Sequence, residues 1–432
     1  MVKRKIVLAS LLLIGIAQGA LAQDSTFARL HLNVLCSPTM YGRGYAYHGD
    51  SLAANYLVQY LEAMLLKPKE QEYSFPVYAM EGPVSMVLNG KPLTGWEDFV
   101  IAPFSPTMHA SLPIIHLDYR TLLDQSALDQ FFATHKKAKK SMLYVDITQC
   151  QNADTIKILQ RLFGMLQRFK NSFQCQGFLV GVDEMSAWTV GMGYHKSQYA
   201  SIYVKKGLMN AEKNKIKISY TNEARQHHAR NIMTLIPGTE KPDSLVVLTA
   251  HYDHLGMMGE EVMFPGCHDN ASGTAAVLDL ANYFRQHPLK YTVAIVFFSA
   301  EEAGLLGSTY FVSHPLIDLQ KVKMVVNLDL MCGGDDGIMV VNAKDSLTNG
   351  FYNALVQLNE ASHWVKEVKA RDNAANSDHF PFTEKGVPAI FIYTLGGRIG
   401  GYHNPYDTPA GASLTAYQGV AHLVIEALEQ LR

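Results

Sequence analysis

Residues 292–304 read TVAIVFFSAEEAG, an unbroken apolar run that ends in a turn with two adjacent glutamates. An apolar run without polar alternation is typical of a strand that is covered on both faces of a sheet. Similar runs alternate with amphipathic segments of helical spacing along the second half of the chain. This order predicts an α/β fold with a doubly wound, mostly parallel mixed sheet that carries helices on both faces.

The predicted elements of this sheet fill the chain from about residue 214 onward. Strands are predicted at 216–221, 231–236, 244–250, 292–299, 323–330, 337–342 and 389–393. Helices are predicted in this part of the chain at 271–286, 304–314, 348–361, 378–385 and 415–430, and two more are predicted earlier, at 50–66 and 153–169. In open α/β sheets, ligands bind just beyond the carboxyl ends of the strands. Chemistry is therefore expected at that edge.

The length of 432 residues allows two or three domains of about 100–200 residues each. We predict a signal peptide at 1–22, an N-terminal part of the main α/β domain at 23–80, an inserted smaller α/β domain at 81–213 and the rest of the main domain at 214–432. The inserted region contains short apolar runs and one amphipathic helix but few clustered acids or histidines. It is expected to have no chemistry of its own.

The N-terminus has the pattern of a secretory signal. A basic start at Lys3–Lys5 precedes an apolar stretch over 6–17, and Ala20 and Ala22 provide small residues for cleavage after Ala22. The apolar stretch is short for a bilayer span, which needs about 20 residues. The pattern predicts a secreted or periplasmic protein without stable membrane association, and an uncleaved anchor is the alternative.

Composition limits the possible partners. Charged residues make up 18% of the chain, below the roughly 25% of average soluble domains, so a large buried core is expected. The net charge is −2, and no basic face stands out. Nucleic acid and anionic membranes are therefore not expected as partners.

The five cysteines do not have the spacing of a structural zinc site. Cys150 and Cys175 flank one predicted helix, which allows a disulfide between them in an oxidising compartment. Cys267 and Cys332 lie close to candidate ligands and are expected to be near each other. We interpret the cysteines as core or disulfide residues, with at least one free thiol.

Five segments bring an acid or a histidine to the expected ligand-binding edge: His251 with Asp253, Asp269, Glu301 with Glu302, Asp329, and Tyr402 with His403. Taken singly, most of them would be surface residues or helix caps. Asp329 is harder to explain in that way, because it lies in an apolar strand where a buried acid needs a partner or a metal. Their common location predicts a metal site, with one carboxylate left to act as a base.

The same segments resemble a known family. Similarity to the family 28 metallopeptidases, which include bacterial zinc aminopeptidases and glutamate carboxypeptidases, runs strongly over about 231–408 and weakly over 36–66. The motifs that carry it are TAHYDHLG (249–256), HDNASG (268–273), SAEEAGLLGS (299–308), NLD (327–329) and YHNPYDT (402–408). Residues 377–389 also resemble the wall of the family's substrate pocket.

This resemblance implies two Zn²⁺ ions per chain. Asp269 resembles the carboxylate that bridges both ions. His251 and Asp329 resemble the other ligands of one zinc, and Glu302 and His403 those of the other.

The resemblance also implies three further roles. Asp253 resembles the residue that orients His251, Glu301 the general base, and Tyr402 a residue that hydrogen-bonds the reaction intermediate. His268 departs from the family, whose members usually have Asp or Asn there. We do not expect it to be a ligand, and an effect on Asp269 or on the pocket is left open.

The resulting hypothesis is a zinc-dependent exopeptidase that acts on peptide substrates, with an aminopeptidase favoured. It would use a two-zinc-activated water and Glu301 as the general base. The alternatives are a glutaminyl cyclase-type acyltransferase, a carboxypeptidase or a non-catalytic binding protein. Arg371 and Arg398 are candidates for binding a substrate carboxylate, although a surface role is the favoured interpretation.

Two minor interpretations complete the sequence analysis. The inserted region is placed like the protease-associated domain of some family members, and an unrelated α/β insertion or lid is the alternative. Four further histidines are expected to be solvated in loops or near helix ends: His227, His228, His287 and His314.

Overall fold

The computed structural model describes residues 25–185, 187–194, 197–209, 214–397 and 401–431. The predicted signal peptide at 1–22 lies outside these residues. The helices are α1 Ser25–Leu35, α2 Gly49–Ala63, α3 Gln125–Thr134, α4 Ala153–Gly164, α5 Ser272–Gln286, α6 Leu306–Ser313, α7 Asn349–Ser362, α8 Phe380–Thr383 and α9 Tyr417–Gln430. Among the described residues, none of the helices has both the length and the apolar character that crossing a bilayer requires.

Fourteen of the strands form one mixed sheet, and β10 and β11 pair separately. The strands are β1 Lys69–Leu88, β2 Lys91–Leu93, β3 Phe99–Ile101, β4 Met108–His116, β5 Met142–Asp146, β6 Gly177–Val182, β7 Ala200–Lys205, β8 Asn214–Ile236, β9 Lys241–His251, β10 Gly256–Met258, β11 Val262–Phe264, β12 Tyr291–Phe298, β13 Val322–Leu328, β14 Ile338–Val341, β15 Val368–Arg371 and β16 Ala389–Thr394. The order along the sheet is β15-β14-β16-β13-β9-β12-β8-β4-β5-β6-β7-β3, with β1 on β8 and β2 on β1.

The centre of the C-terminal half (residues 214–431) is the parallel group β12, β9, β13 and β16. Different helices cover its two faces. Val246 and Leu248 of β9 pack with residues of α1, α2, α5 and α9, whereas Leu245 and Val247 pack with residues of α6 and α8. Successive side chains of a strand point to opposite faces, and every residue of β12 is buried. The predicted fold class is confirmed.

A long antiparallel pair joins this half to the inserted region. Strand β8 pairs with β12 near its C-terminal end, with β4 near its N-terminal end and with β1 along most of its length. The strands predicted at 216–221 and 231–236 are therefore the two ends of one strand. Its middle, NEARQHHAR over 222–230, is largely polar, so the sequence pattern did not indicate that the two predicted strands form one continuous strand. Because β1 runs across residue 81, the domain division stays a prediction.

The inserted region has its own apolar cores. Strands β4, β5, β6 and β7 pair in parallel, and α4 buries Leu159 and Phe163 against them. Cys150 follows the carboxyl end of β5, and Cys175 precedes the amino end of the neighbouring parallel strand β6. They lie at opposite ends of these strands, so the suggested pairing is not formed, and both are free thiols.

Two other expectations need correction. Helix α1 was not anticipated from the sequence, although Leu32 and Leu35 on its buried side belong to the main core. His227 is not solvated: it is buried, and its Nε2 lies 2.7 Å from Asp50 Oδ2. Its polar neighbours in the sequence suggested a loop, but His227 lies on the inward-facing side of strand β8. The other three histidines of that group are exposed.

Candidate metal centre

The carboxyl ends of the central strands deliver the candidate ligands. His251 is the last residue of β9, and the turn after β12 carries Glu301 and Glu302. Asp329 follows β13 directly. Asp269 lies in the turn before α5, and His403 in the loop after β16. Parallel strands end at the same edge, so residues separated by more than 150 positions meet there.

The first group of side chains forms around His251. Its Nε2 lies 3.4 Å from Asp269 Oδ1 and 3.3 Å from Asp329 Oδ2. Glu301 belongs to the same cluster, because one ligand atom from each of His251, Glu301 and Asp329 lies within 4.8 Å of the others.

The second group forms around His403. Its Nε2 lies 3.1 Å from Asp269 Oδ2 and 3.3 Å from Glu302 Oε2. Asp269 thus presents one carboxylate oxygen to each histidine. The adjacent Glu301 and Glu302 face different groups, as expected for neighbouring residues of a turn.

These side chains fit a metal of the zinc type. Imidazole nitrogens and carboxylate oxygens are common zinc donors. Asp329 Oδ1 is buried without a hydrogen-bond partner among the described residues, which is costly unless another group satisfies it. Several carboxylates facing one another in a buried site also require compensating positive charge. His251, Asp269 and Asp329 would hold one ion, and Asp269, Glu302 and His403 would hold a second.

Asp253 holds the turn that carries the two glutamates. Its carboxylate accepts hydrogen bonds from the backbone amides of Glu301 and Glu302 at 3.2 and 3.3 Å. The Tyr45 hydroxyl donates to Asp253 Oδ2 at 2.6 Å. His251 Nδ1 lies 3.7 Å from Asp253 Oδ1 and 3.2 Å from the backbone oxygen of Asp253. Asp253 therefore contacts both the histidine that it was predicted to orient and the predicted base.

Two further side chains hold ligands in place. Ser377 Oγ donates to Asp329 Oδ2 at 2.9 Å. Asp407 accepts from the backbone amides of His268 and Asp269, at 2.8 and 3.1 Å for the shortest contacts. Hydrogen bonds of this kind fix the orientation of metal ligands. Both residues lie in motifs that resembled the family, but the sequence did not reveal their contacts.

His254 and His268 lie beside the ligands. His254 Nδ1 is 2.7 Å from Glu302 Oε1 and 4.0 Å from Asp269 Oδ1, so its ring could orient Glu302 or itself bind an ion together with these two acids. His268 Nδ1 accepts from the backbone amide of Cys332 at 3.1 Å. That contact ties the Asp269 turn to the loop after Asp329. Burial lowers the pKa of His268, which favours its neutral form, although the carboxylates of Asp407 and Asp269 oppose this shift. The expectation that Cys267 and Cys332 are close is met, with a 3.7 Å separation of their sulfur atoms.

The inserted region contacts the site through Trp188. His403 Nδ1 donates to the backbone oxygen of Trp188 at 3.0 Å, and the Trp188 amide donates to the backbone oxygen of His403 at 3.0 Å. The Trp188 indole stacks on Phe264 with 4.7 Å between ring centroids and donates to Ile101 O at 2.8 Å. The ring of a candidate ligand is thus oriented by a segment outside the C-terminal half.

The pKa values of both Glu301 and Tyr402 are raised, with different consequences for their roles. Burial raises the pKa of Glu301 well above its usual range; His251 opposes this, and the neighbouring carboxylates of Glu302 and Asp378 reinforce it. A raised pKa suits a carboxylate that accepts and returns protons near neutral pH. Desolvation and the carboxylates of Asp269 and Glu302 raise the pKa of Tyr402, so its hydroxyl stays a hydrogen-bond donor.

A cavity of about 270 Å³ opens beside these groups. Asp269, Glu301 and Asp329 form its acidic side. The remaining lining residues are Leu330, Arg371, Asn376, Phe391, Tyr393 and Tyr402. Arg371 was one of two cationic candidates in the sequence, and the structure places it at this cavity. Arg398 lies outside the described residues.

Comparison with known proteins identifies the region that carries the site. Residues 231–428 match the family model described as peptidase family M28. Over this stretch, which is a little less than half of the chain, the protein is similar to peptidase family M28. Every candidate ligand, from His251 to His403, lies inside the matched stretch. The family resemblance of the motifs is confirmed.

Among curated family relatives, the aminopeptidase YwaD of Bacillus subtilis is 29% identical over 49% of this chain and 45% of its own length. A glutamate carboxypeptidase 2 homolog of Caenorhabditis elegans is 30% identical over 47% of this chain and 29% of its own length. The chain therefore matches less than half of the length of these relatives.

Solved structures match almost the whole chain. The zinc aminopeptidase BSAP of Bacillus subtilis superimposes with a TM-score of 0.68 at 18% identity, covering 95% of this chain and 96% of that one. A peptidase M28 precursor of Shewanella amazonensis gives 0.67 at 16% identity, covering 98% and 96%. At this identity the likeness concerns the fold, which includes the inserted region.

Proposed function

We propose that this protein is a secreted or periplasmic zinc-dependent aminopeptidase that removes N-terminal residues from peptides. The observation that carries the proposal is the position of Asp269, whose two oxygens face His251 and His403. A carboxylate in this position is suited to serve two ions at once. Asp329 and Glu302 complete the two sets, and Glu301 is the surplus acid.

The protein groups divide the work of hydrolysis. Bound zinc would supply Lewis-acid polarisation of the peptide carbonyl and would make a water molecule more acidic. Glu301 takes a proton from the attacking water and returns it to the leaving amine. The hydroxyl of Tyr402 donates a hydrogen bond to the oxygen on which negative charge develops. Asp253 keeps Glu301 in position through the backbone amide of that residue.

The charge of the cavity supports action at the N-terminus. Three carboxylates, those of Asp269, Glu301 and Asp329, line one side of the cavity. The bound ions would offset the charge of Asp269 and Asp329, so Glu301 is the acid on this side that is free to attract the cationic α-amine of a substrate. The name of the Bacillus subtilis aminopeptidase agrees with this direction of attack.

The ligand group around His251 supports hydrolysis rather than cyclisation of an N-terminal glutamine. A cyclase that uses one zinc ion needs only one set of ligands. Here the group around His403 is accompanied by a second group, in which His251 lies within 3.4 Å of both Asp269 and Asp329. A peptide that begins with glutamine separates the two activities. Hydrolysis shortens the peptide by one residue, whereas cyclisation closes the N-terminal ring without cleaving the chain.

The direct test is turnover of aminoacyl-arylamides by purified protein, with metal content measured on the same sample. We expect hydrolysis that a chelator abolishes and that added Zn²⁺ restores. Turnover that survives complete metal removal would contradict the proposal. Release of residues from the C-terminus alone would replace the aminopeptidase by a carboxypeptidase.

Export is tested separately. Expression of the full chain in a bacterium with an outer membrane should yield protein outside the cytoplasm that begins at Gln23, as N-terminal sequencing would reveal. Recovery of protein that still begins at Met1 would favour the uncleaved anchor.

A further inference from the structure

The cavity beside the candidate ligands carries opposite charges on its walls. Three carboxylates lie on one side, and among its lining residues the only cationic side chain is Arg371. The rest of the lining consists of an amide, aromatic rings and one leucine. A cavity of about 270 Å³ is small and suits one amino-acid side chain better than a long stretch of peptide.

The charge of Arg371 is not used within the described protein. Among the described residues its guanidinium makes one hydrogen bond, from Nη1 to the Tyr393 hydroxyl at 3.5 Å, and no ion pair. The adjacent acid, Asp372, is paired instead with Lys344 at 3.1 Å. The guanidinium is therefore available to a ligand.

The surroundings of Arg371 hold it near the cavity. It is the last residue of β15, whose partner β14 pairs with β16. Tyr393 and Phe391 of β16 pack on each other with 5.2 Å between ring centroids, and both line the cavity. A guanidinium in this setting presents planar donors that match a carboxylate.

We infer that Arg371 binds a carboxylate of the substrate and makes this protein prefer substrates that carry a carboxylate near the cleaved bond. The inference rests on the proposed peptidase function. Glu301, the lining acid that is not a proposed ligand, attracts the substrate amine, and Arg371 attracts the carboxylate. Two sources offer that group: the side chain of an N-terminal glutamate or aspartate, and the terminal carboxylate of a dipeptide.

Matched substrates distinguish the two sources. Glutamyl- and glutaminyl-p-nitroanilide differ in the charge of the side chain, whereas leucyl-leucine and its C-terminal amide differ in the terminal charge. We expect at least one charged member to exceed its neutral partner by roughly tenfold in kcat/KM, the size of one charge-assisted hydrogen bond. The ratio should fall as salt increases, because the arginine is exposed to solvent.

Variants identify the residue responsible. Arg371→Gln should bring the charged-to-neutral ratio of kcat/KM close to one. Arg371→Lys should keep part of the ratio, because it keeps the charge but loses the planar donors. Lys323→Gln is the matched control: it removes the same charge at an exposed position near the amino end of β13, away from the ligand edge.

The outcomes separate this inference from the proposed function. Ratios near one in the unaltered protein, or ratios that Arg371→Gln leaves unchanged, would overturn the inference while leaving the peptidase intact. A protein that cleaves none of the four substrates in the presence of Zn²⁺ would overturn the proposed function, and the inference with it.

Discussion

Strand β5 of the inserted region and strand β13 of the C-terminal half each lead an apolar run into an aspartate, Asp146 and Asp329. Both oxygens of Asp146 are used by its own turn: Oδ1 accepts from the amide and hydroxyl of Thr148 at 3.0 and 2.7 Å, and Oδ2 accepts from the side chain of Gln149 at 3.2 Å. Asp329 has one oxygen bonded to Ser377 and one without a partner among the described residues.

The neighbours of the two aspartates differ as well. Next to β5, the end of β6 is followed by Asp183, which is paired with Lys206. Beside Asp329 the partner is a histidine, His251. The same local pattern thus makes a turn cap in one region and a candidate metal ligand in the other. The difference arises from what adjacent strands bring to the shared edge.

The largest effect is expected from the surplus acid of the C-terminal half. Glu301→Gln should lower kcat by about 10²–10⁴-fold, because it removes the group that moves protons. Metal content should stay unchanged in elemental analysis. Loss of a metal ion would show instead that Glu301 is a ligand. Asp146→Asn is the control in the inserted region and should leave kcat as it is.

The shared carboxylate gives the next sharpest test. Asp269→Asn should weaken binding at both metal sites together, because its two oxygens face the two histidines. Asp329→Asn should weaken only the site of His251. Metal content per chain after dialysis against a weak chelator measures both. One unaffected site in the first variant would contradict the bridging role.

A smaller effect is expected where the two regions meet. Trp188→Ala removes the indole that stacks on Phe264 and holds the carbonyl facing His403. Metal affinity should fall by roughly 10-fold, as for other residues that orient metal ligands.

Two comparisons make this test specific. Trp188→Phe, which keeps an aromatic ring for the stack, should lose less affinity. Trp364→Phe alters a partly exposed tryptophan that packs on His422 and serves as the control. Unchanged metal affinity in Trp188→Ala would show that the inserted region does not position His403.

The smallest effect is expected on the stability of the turn that Asp146 caps. Asp146→Ala should lower the free energy of unfolding by about 0.5–2 kcal/mol, the usual cost of losing such a cap. Denaturant unfolding measures this value, and metal content provides the comparison. A change in metal content would contradict the interpretation of Asp146 as a turn cap that does not take part in metal binding.

The sequence supported the prediction of much of the candidate site, for a clear reason. The ligands follow apolar strands, and strand direction decides which ends share an edge. Tyr45 and Trp188 were out of reach, since neither stands in a pattern that indicates a contact with Asp253 or His403. His227 was misjudged because polar neighbours on a half-exposed strand look the same as a loop.

The amino-acid sequence by itself determined the strand and helix order of the C-terminal half and the residue types at its carboxyl edge. These follow from hydrophobic periodicity and from the few side chains able to bind metal. Only the tertiary structure decided that Asp269 lies between two histidines, that Trp188 holds His403, and that Arg371 reaches the cavity. Such contacts join segments far apart in the chain, and their geometry depends on how whole elements pack, which local preferences do not specify.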